Sequence, residues 1–257
     1  MTSPSIGRPF PVLLIGLIVL GTWTVESRSD DHHAVGQSGT ISSKPTTPEA
    51  YHKEDWRLER LAELNEVARR GNIDLLFLGD SITQGWKKAG KHVWDRYYAR
   101  RRAANFGMDA DRAQHVLWRI EQGHFERIHP KAVVLLIGTN NASSGETAQE
   151  IAAGVMAVVY TLREKIPESR ILLLAIFPAG ERPDNPQRMR IAAANAAVRS
   201  IADGRMVRYL DIGNRFMNPD GTIPQSLMPD FLHLSPRGYE VWAEAIEPAV
   251  QELMGEP

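Results

Sequence analysis

Two stretches of this chain are apolar almost without interruption: Ala132 to Ile137 (AVVLLI) and Ile171 to Phe177 (ILLLAIF). A strand with one face in water alternates polar and apolar residues, because successive side chains point to opposite faces. A run with no polar positions is a strand covered on both sides, and such strands belong to parallel sheets sandwiched between helices. The rest of the chain supplies what that architecture needs. Trp56, Leu58, Leu61, Leu64 and Val67 recur at helical spacing, and Gly71 after Arg69-Arg70 is a helix stop. Ile73 to Leu78 is a further strand, ending at Gly79. Residues 148–165 and 188–202 read as helices, Val207 to Leu210 as a last short strand, and Tyr239 to Met254 as a closing helix. This alternation predicts a three-layer α/β/α sandwich with a mostly parallel sheet.

Composition sets limits around that fold. The 257 residues carry 30 Lys+Arg against 31 Asp+Glu, so no basic excess points to a nucleic acid. With 43% hydrophobic and 24% charged residues, a wholly disordered or fibrous chain is excluded. The count of Cys is 0, which removes disulfides, thiolate metal sites, a Cys nucleophile and a lipidated Cys.

Ahead of the fold, Val12 to Leu20 (VLLIGLIVL) is apolar throughout and Arg8 precedes it. The run is short of the roughly 20 residues that span a bilayer. Residues 1–26 are therefore expected to be a secretory signal peptide, with an uncleaved signal anchor as the alternative. Export to the periplasm or the outside follows, with no stable membrane insertion once the signal is removed. Residues 27–50, rich in Ser, Thr, Gly and Pro, read as a flexible linker, in which His32-His33 are solvated. The folded domain is expected over 51–257.

Ligands of open parallel sheets bind at the carboxyl ends of the strands, so three segments carry the chemistry. Gly79-Asp80-Ser81-Ile82-Thr83 follows a strand; Asp and Ser there suit a helix cap as well as an exposed nucleophile. Gly138-Thr139-Asn140-Asn141 follows the strongest strand, where an Asn amide can donate to an oxyanion or simply shape a turn. In Asp230-Phe231-Leu232-His233, a carboxylate three residues before an imidazole can fix its tautomer and leave the other nitrogen as a base. No G-x-S-x-G elbow is present, so the usual α/β-hydrolase arrangement does not apply.

In that order these blocks resemble the SGNH hydrolases (GDSL-type esterases), a family with a flavodoxin-like fold, over essentially all of 73–250. Asn105-Phe106-Gly107, His115-Val116-Leu117-Trp118-Arg119 and Asp230 to Leu234 look most like the catalytic subunits of platelet-activating-factor acetylhydrolase and their bacterial relatives. The resemblance implies Ser81 as nucleophile, His233 as base and then acid, and Asp230 as the residue orienting it. It implies an oxyanion hole of the Ser81 N–H, the Asn140 side chain and a backbone N–H from the second block. There the chain departs from the family. Aligning on Asn105 and Asp111 puts Ala110 where a glycine is usual and Asp109 where a small residue is usual; a shifted alignment would use Gly107. Ala keeps the N–H but is penalised where φ is positive.

The resemblance implies a short-chain, most simply acetyl, ester hydrolysed through an acyl-enzyme, on a carbohydrate or lipid-like alcohol, with no metal or organic cofactor. It leaves a homodimer open. Within 51–257 the Asp-x-His or His-x-His spacings of a metal-dependent phosphoesterase are absent. A non-catalytic carbohydrate-binding module on the same fold is the other reading. Trp86, Trp94, Tyr97 and Tyr98 are read as core beneath the helix rather than as a sugar-stacking wall, and His52, His92, His115, His124 and His129 as structural or surface residues.

Overall fold

The computed structural model describes residues 44–50, 54–125 and 127–256. The segment expected to be a signal, and residues 27–43 of the expected linker, lie outside these. Residues 44–50 lie against the domain: Glu49 N–H donates to the Gln114 carbonyl at 3.1 Å, and Pro45 is buried.

Among the described residues one sheet of five strands forms, β1 (Leu75–Gly79), β2 (Ala103–Gly107), β3 (Ala132–Leu136), β4 (Arg170–Leu174) and β5 (Val207–Leu210). Their order is β2-β1-β3-β4-β5 and every neighbouring pair is parallel. Period two explains how apolar runs serve two cores. Leu76, Leu78, Val133, Leu135, Ile171 and Leu173 face one helical layer, made by α1 (Asp55–Arg70), α4 (Ala113–Arg119), α6 (Ala148–Lys165) and α7 (Pro186–Val198). Leu75, Phe77, Val134, Leu136, Leu172 and Leu174 face the other, made by α3 (Lys91–Tyr97) and α8 (Pro236–Met254). The sandwich is the expected one.

Local rules set the helix ends. Thr147 and Glu150 form a reciprocal capping box that starts α6. Asn185 caps α7 and Ser235 caps α8, each followed by Pro at the first helical position. Trp86 and Tyr98 are fully buried, and Trp86 packs on Phe77, Tyr239 and Trp242 with ring centroids 4.5–6.0 Å apart. Of the aromatics after Ser81, Trp86 and Tyr98 are thus core, whereas Trp94 and Tyr97 are half-buried against it.

Two differences from the sequence expectation have physical causes. Strand β4 stops at Leu174, although the apolar run continues to Phe177. Beyond it the Asn195 side chain replaces a strand partner, accepting from Ile176 N–H and donating to the Ile176 carbonyl, both at 2.9 Å. Strand β2 had no signal, because it is short, follows three arginines and lies at the sheet edge.

The strand order places a switch point between β1 and β3. From β1 the chain crosses to β2 on one side, then returns to lay β3 on the other. Loops leaving β1 and β3 diverge there and open a crevice, the usual ligand site of such sheets.

Candidate active site

Ser81 stands at that crevice. It is the first residue of α2 (Ser81–Gln84), whose cap is Asp80, with the Asp80 Oδ1 accepting from Ile82 N–H at 3.0 Å. The amide of a first helical residue has no acceptor inside its helix. Two close approaches demand glycine around this turn. A Cβ on Gly79 would lie 2.2 Å from the Leu136 carbonyl, and one on Gly107 would lie 2.1 Å from the Gln84 nitrogen. These contacts draw the ends of β1, β2 and β3 together. Asn105 reinforces them, its Nδ2 donating to the Thr83 carbonyl at 3.0 Å.

The loop before α8 delivers the other two candidates. His233 Nε2 lies 3.0 Å from Ser81 Oγ, and His233 Nδ1 lies 2.7 Å from Asp230 Oδ2. A carboxylate can only accept, so the proton sits on Nδ1 and the Nε2 lone pair faces the serine hydroxyl. The other Asp230 oxygen accepts from the Leu232 and His233 amides at 3.1 and 2.7 Å. Between them Phe231 adopts φ 60°, a left-handed conformation rare for a bulky residue. Its ring packs on the α3/α8 core, and its carbonyl accepts from Gly180 N–H at 2.9 Å. Partial burial raises Asp230, but the hydrogen bonds and charge of His233 outweigh it and hold the carboxyl below its ordinary range.

The two asparagines after β3, both in α5 (Thr139–Ser143), separate in role. Asn141 is fully buried; its Oδ1 accepts from Ala113 N–H at 2.9 Å, and its Nδ2 donates to Gln114 and Glu146 at 2.9 and 2.8 Å. Asn140 is half-buried and donates to the Asp111 carbonyl at 2.9 Å. It shares a cavity wall with Ala110.

Ala110 has φ 58°, so the position keeps the glycine-type conformation without the glycine. Gly107, the alternative donor, has its amide committed to Asn105 Oδ1 at 2.8 Å. Beside Ala110, the fully buried pair Asp111 and Arg119 (2.7 Å) braces the loop, and Arg119 also donates to the Phe106 carbonyl at 3.0 Å. Both residues fall in segments that carry the family resemblance, but nothing in their spacing shows that they pair.

Asp80 is fully buried, and Oδ2 has no hydrogen-bond partner. Desolvation pushes its carboxyl up to about 7 against the Ile82 N–H, with the Asp111 charge adding to the rise and His233 opposing it. Among the described residues no group of three or more His, Asp or Glu is placed to hold a metal ion. A larger cavity, about 990 Å³, lies beside α7 and β5 and contains none of the candidate residues.

Comparison with known proteins identifies the family and fold to which this chain belongs. The chain is 36% identical over 184 residues to the platelet-activating factor acetylhydrolase IB subunit alpha1 of Homo sapiens, covering 71% of this chain and 78% of that one. It is 36% identical to the alpha2 subunit of Mus musculus over the same shares. Similar folds include a GDSL-like lipase of Bacteroides thetaiotaomicron (TM-score 0.60, 16% identity, covering 76% of this chain and 97% of that one). An acetylxylan esterase of Geobacillus stearothermophilus is another (TM-score 0.56, 20% identity, 73% and 96%). The model of the GDSL-like lipase/acylhydrolase family matches residues 77–241. With the sheet, the crevice and these relatives in agreement, the chain belongs to the GDSL-like lipase/acylhydrolase family and is a carboxylic ester hydrolase.

Proposed function

We propose that the protein is a serine esterase that removes short acyl groups, most simply acetyl, through an acyl-enzyme. The observation that carries this reading is the hydrogen-bonded chain from Ser81 through His233 to Asp230 at the switch point. Ser81 Oγ attacks the ester carbonyl while His233 Nε2 takes its proton, and Asp230 stabilises the imidazolium. The oxyanion lies among the Ser81 and Ala110 N–H groups and the second N–H of Asn140 Nδ2. The alcohol leaves with the proton from His233. Water, deprotonated by the same nitrogen, then attacks the acyl-enzyme to release the acid and Ser81. Short acyl selectivity is supported by the relatives named acetylhydrolases, and a carbohydrate alcohol by the solved acetylxylan esterase of the same fold.

The test is hydrolysis of 4-nitrophenyl acetate, butyrate and octanoate by the full chain and by Ser81→Ala. The expected result is turnover that falls with acyl length and is lost in the variant. Absence of turnover on all three would overturn the reading in favour of a binding module. Export is part of the same proposal and rests on the apolar run at 12–20 behind Arg8. Fractionation of the source cells that found the chain in the cytoplasm would refute it.

A further inference from the structure

A second cavity, about 350 Å³, adjoins the candidate oxyanion donors. Ala110 and Asn140 line it on one side, Glu54 and Arg57 at the start of α1 on another, and Arg112 and His115 around the start of α4 on a third. An acetyl group has one methyl beyond its carbonyl and cannot fill a space within the usual range of ligand clefts, about 300–1,000 Å³. The cavity therefore faces another part of the ester.

Its chemistry is polar without a dominant charge. Arg57 Nε donates to Glu54 Oε2 at 2.9 Å, and Arg112 Nη2 donates to both carboxylate oxygens of Glu49 at 3.0 and 3.2 Å. His115 Nδ1 accepts from the Arg112 amide at 3.1 Å, which leaves the ring proton on Nε2. Burial, then the Arg112 charge, brings the imidazole down to about 4, so it is neutral at ordinary pH. The lining thus mixes donors and acceptors, with Glu54 offsetting Arg57 and Glu49, behind Arg112, offsetting that guanidinium. An alkyl chain would strip these groups of solvent and return no hydrogen bonds. An anion would meet the Glu54 carboxylate as well as guanidinium groups. Hydroxyl groups, each a donor and an acceptor, match the wall.

Part of this wall comes from outside the shared family core. The family model matches residues 77–241, whereas the lining residues Glu54 and Arg57, and Glu49 behind Arg112, precede it. The segment at 44–50 is seated by a close packing contact: a Cβ on Gly154 would lie 2.8 Å from Pro45 Cβ. The absent side chain makes room for Pro45. A few residues on, Glu49 meets Arg112.

We propose that this cavity is a subsite for the polyhydroxylated part of the ester, with Arg112 determining specificity and Glu49 positioning Arg112. This rests on the esterase reading above, and it narrows the alcohol to a carbohydrate-like one. The experiment compares kcat/KM for a monoacetylated methyl pyranoside, whose other hydroxyls are free, with that for 4-nitrophenyl acetate, in the full chain and in Arg112→Ala, Arg112→Lys and Glu49→Gln. The ratio of the two is expected to fall at least tenfold in Arg112→Ala, as the loss of hydrogen bonds from a charged donor implies. The fall should come through KM for the pyranoside, and should be smaller in Arg112→Lys and Glu49→Gln. An unchanged ratio in all three variants would overturn the proposal. Calorimetric binding of the unacetylated methyl pyranoside to Ser81→Ala and to Ser81→Ala/Arg112→Ala gives a readout without turnover. Binding that disappears with Arg112 supports the subsite even if no ester is hydrolysed; no binding, or equal binding to both, refutes it.

Discussion

Asn140 Nδ2 donates to the main-chain carbonyl of Asp111 at 2.9 Å, which ties the loop after β3 to the loop after β2. An amide nitrogen carries two N–H groups, so the tether leaves one for an oxyanion. Asn140→Ala removes both functions. The expected loss in kcat is about 10²–10³, the cost of one oxyanion donor in another hydrolase, with little change in folding stability. Asn141→Ala should do the reverse. It strands a buried amide and two buried side chains, and should lower the unfolding free energy by about 2–4 kcal/mol. Steady-state kinetics and urea melts of both variants check the separation; similar behaviour of the two would refute it.

Ala110 holds φ 58°, and an L-residue in that region costs roughly 1–2 kcal/mol. Glycine removes this strain but loses more chain entropy on folding, about 0.5–1 kcal/mol. Ala110→Gly is therefore expected to stabilise the protein modestly, by up to about 1 kcal/mol, with kcat held within a few-fold because the N–H remains. A shifted urea midpoint at unchanged slope is the signature. Destabilisation would show that the Ala110 methyl makes a contact worth more than the strain.

Asp230→Asn separates orientation from tautomer. The amide oxygen can still accept from the Leu232 and His233 amides, but an NH₂ group facing Nδ1 drives the imidazole proton to Nε2, where it cannot accept from Ser81. In the best-studied triad the same change lowers kcat by about 10⁴; here a loss on the order of 10³–10⁴ is expected at unchanged stability. Activity within threefold of wild type would remove Asp230 from the mechanism.

Asp80 makes stability depend on pH. Its folded pKa of about 7 lies above the unfolded value of 3.8, so between these values the folded state holds the proton more tightly. Its contribution is fully present below pH 3.8 and is lost as pH rises through 7. The whole span amounts to something on the order of 4 kcal/mol. Asp80→Asn keeps the cap to Ile82 N–H and cannot ionise, so the decline in stability from pH 4 to 7 should flatten relative to wild type. Parallel stability–pH curves for the two proteins would contradict this.

The sheet and most helices were legible because their signals are local. Residues 132–137 and 171–177 announce buried parallel strands by lacking polar positions, and α6 begins where Thr147 and Glu150 satisfy the first amides of the helix. Strand β2 was hidden, since an edge strand of five residues behind Arg100 to Arg102 has neither an apolar run nor a strong alternation. The order of the blocks around Ser81, Asn140, Asp230 and His233 also reads from the chain, because each is a short motif at a strand end or in a late loop.

Other features were decided only by the tertiary structure. Residue type and spacing do not distinguish Asn140 from Asn141, and the family resemblance alone singled out Asn140; packing is what sends one side chain into the core and the other toward the crevice. Nor could sequence assign φ at Ala110, because a backbone dihedral there is set by the brace of Asp111 and Arg119, not by the alanine. The Glu49–Arg112 contact joins residues 63 positions apart. A long-range pair leaves no periodicity or spacing to read; it exists because Pro45 fits over Gly154 and brings the carboxylate to the guanidinium.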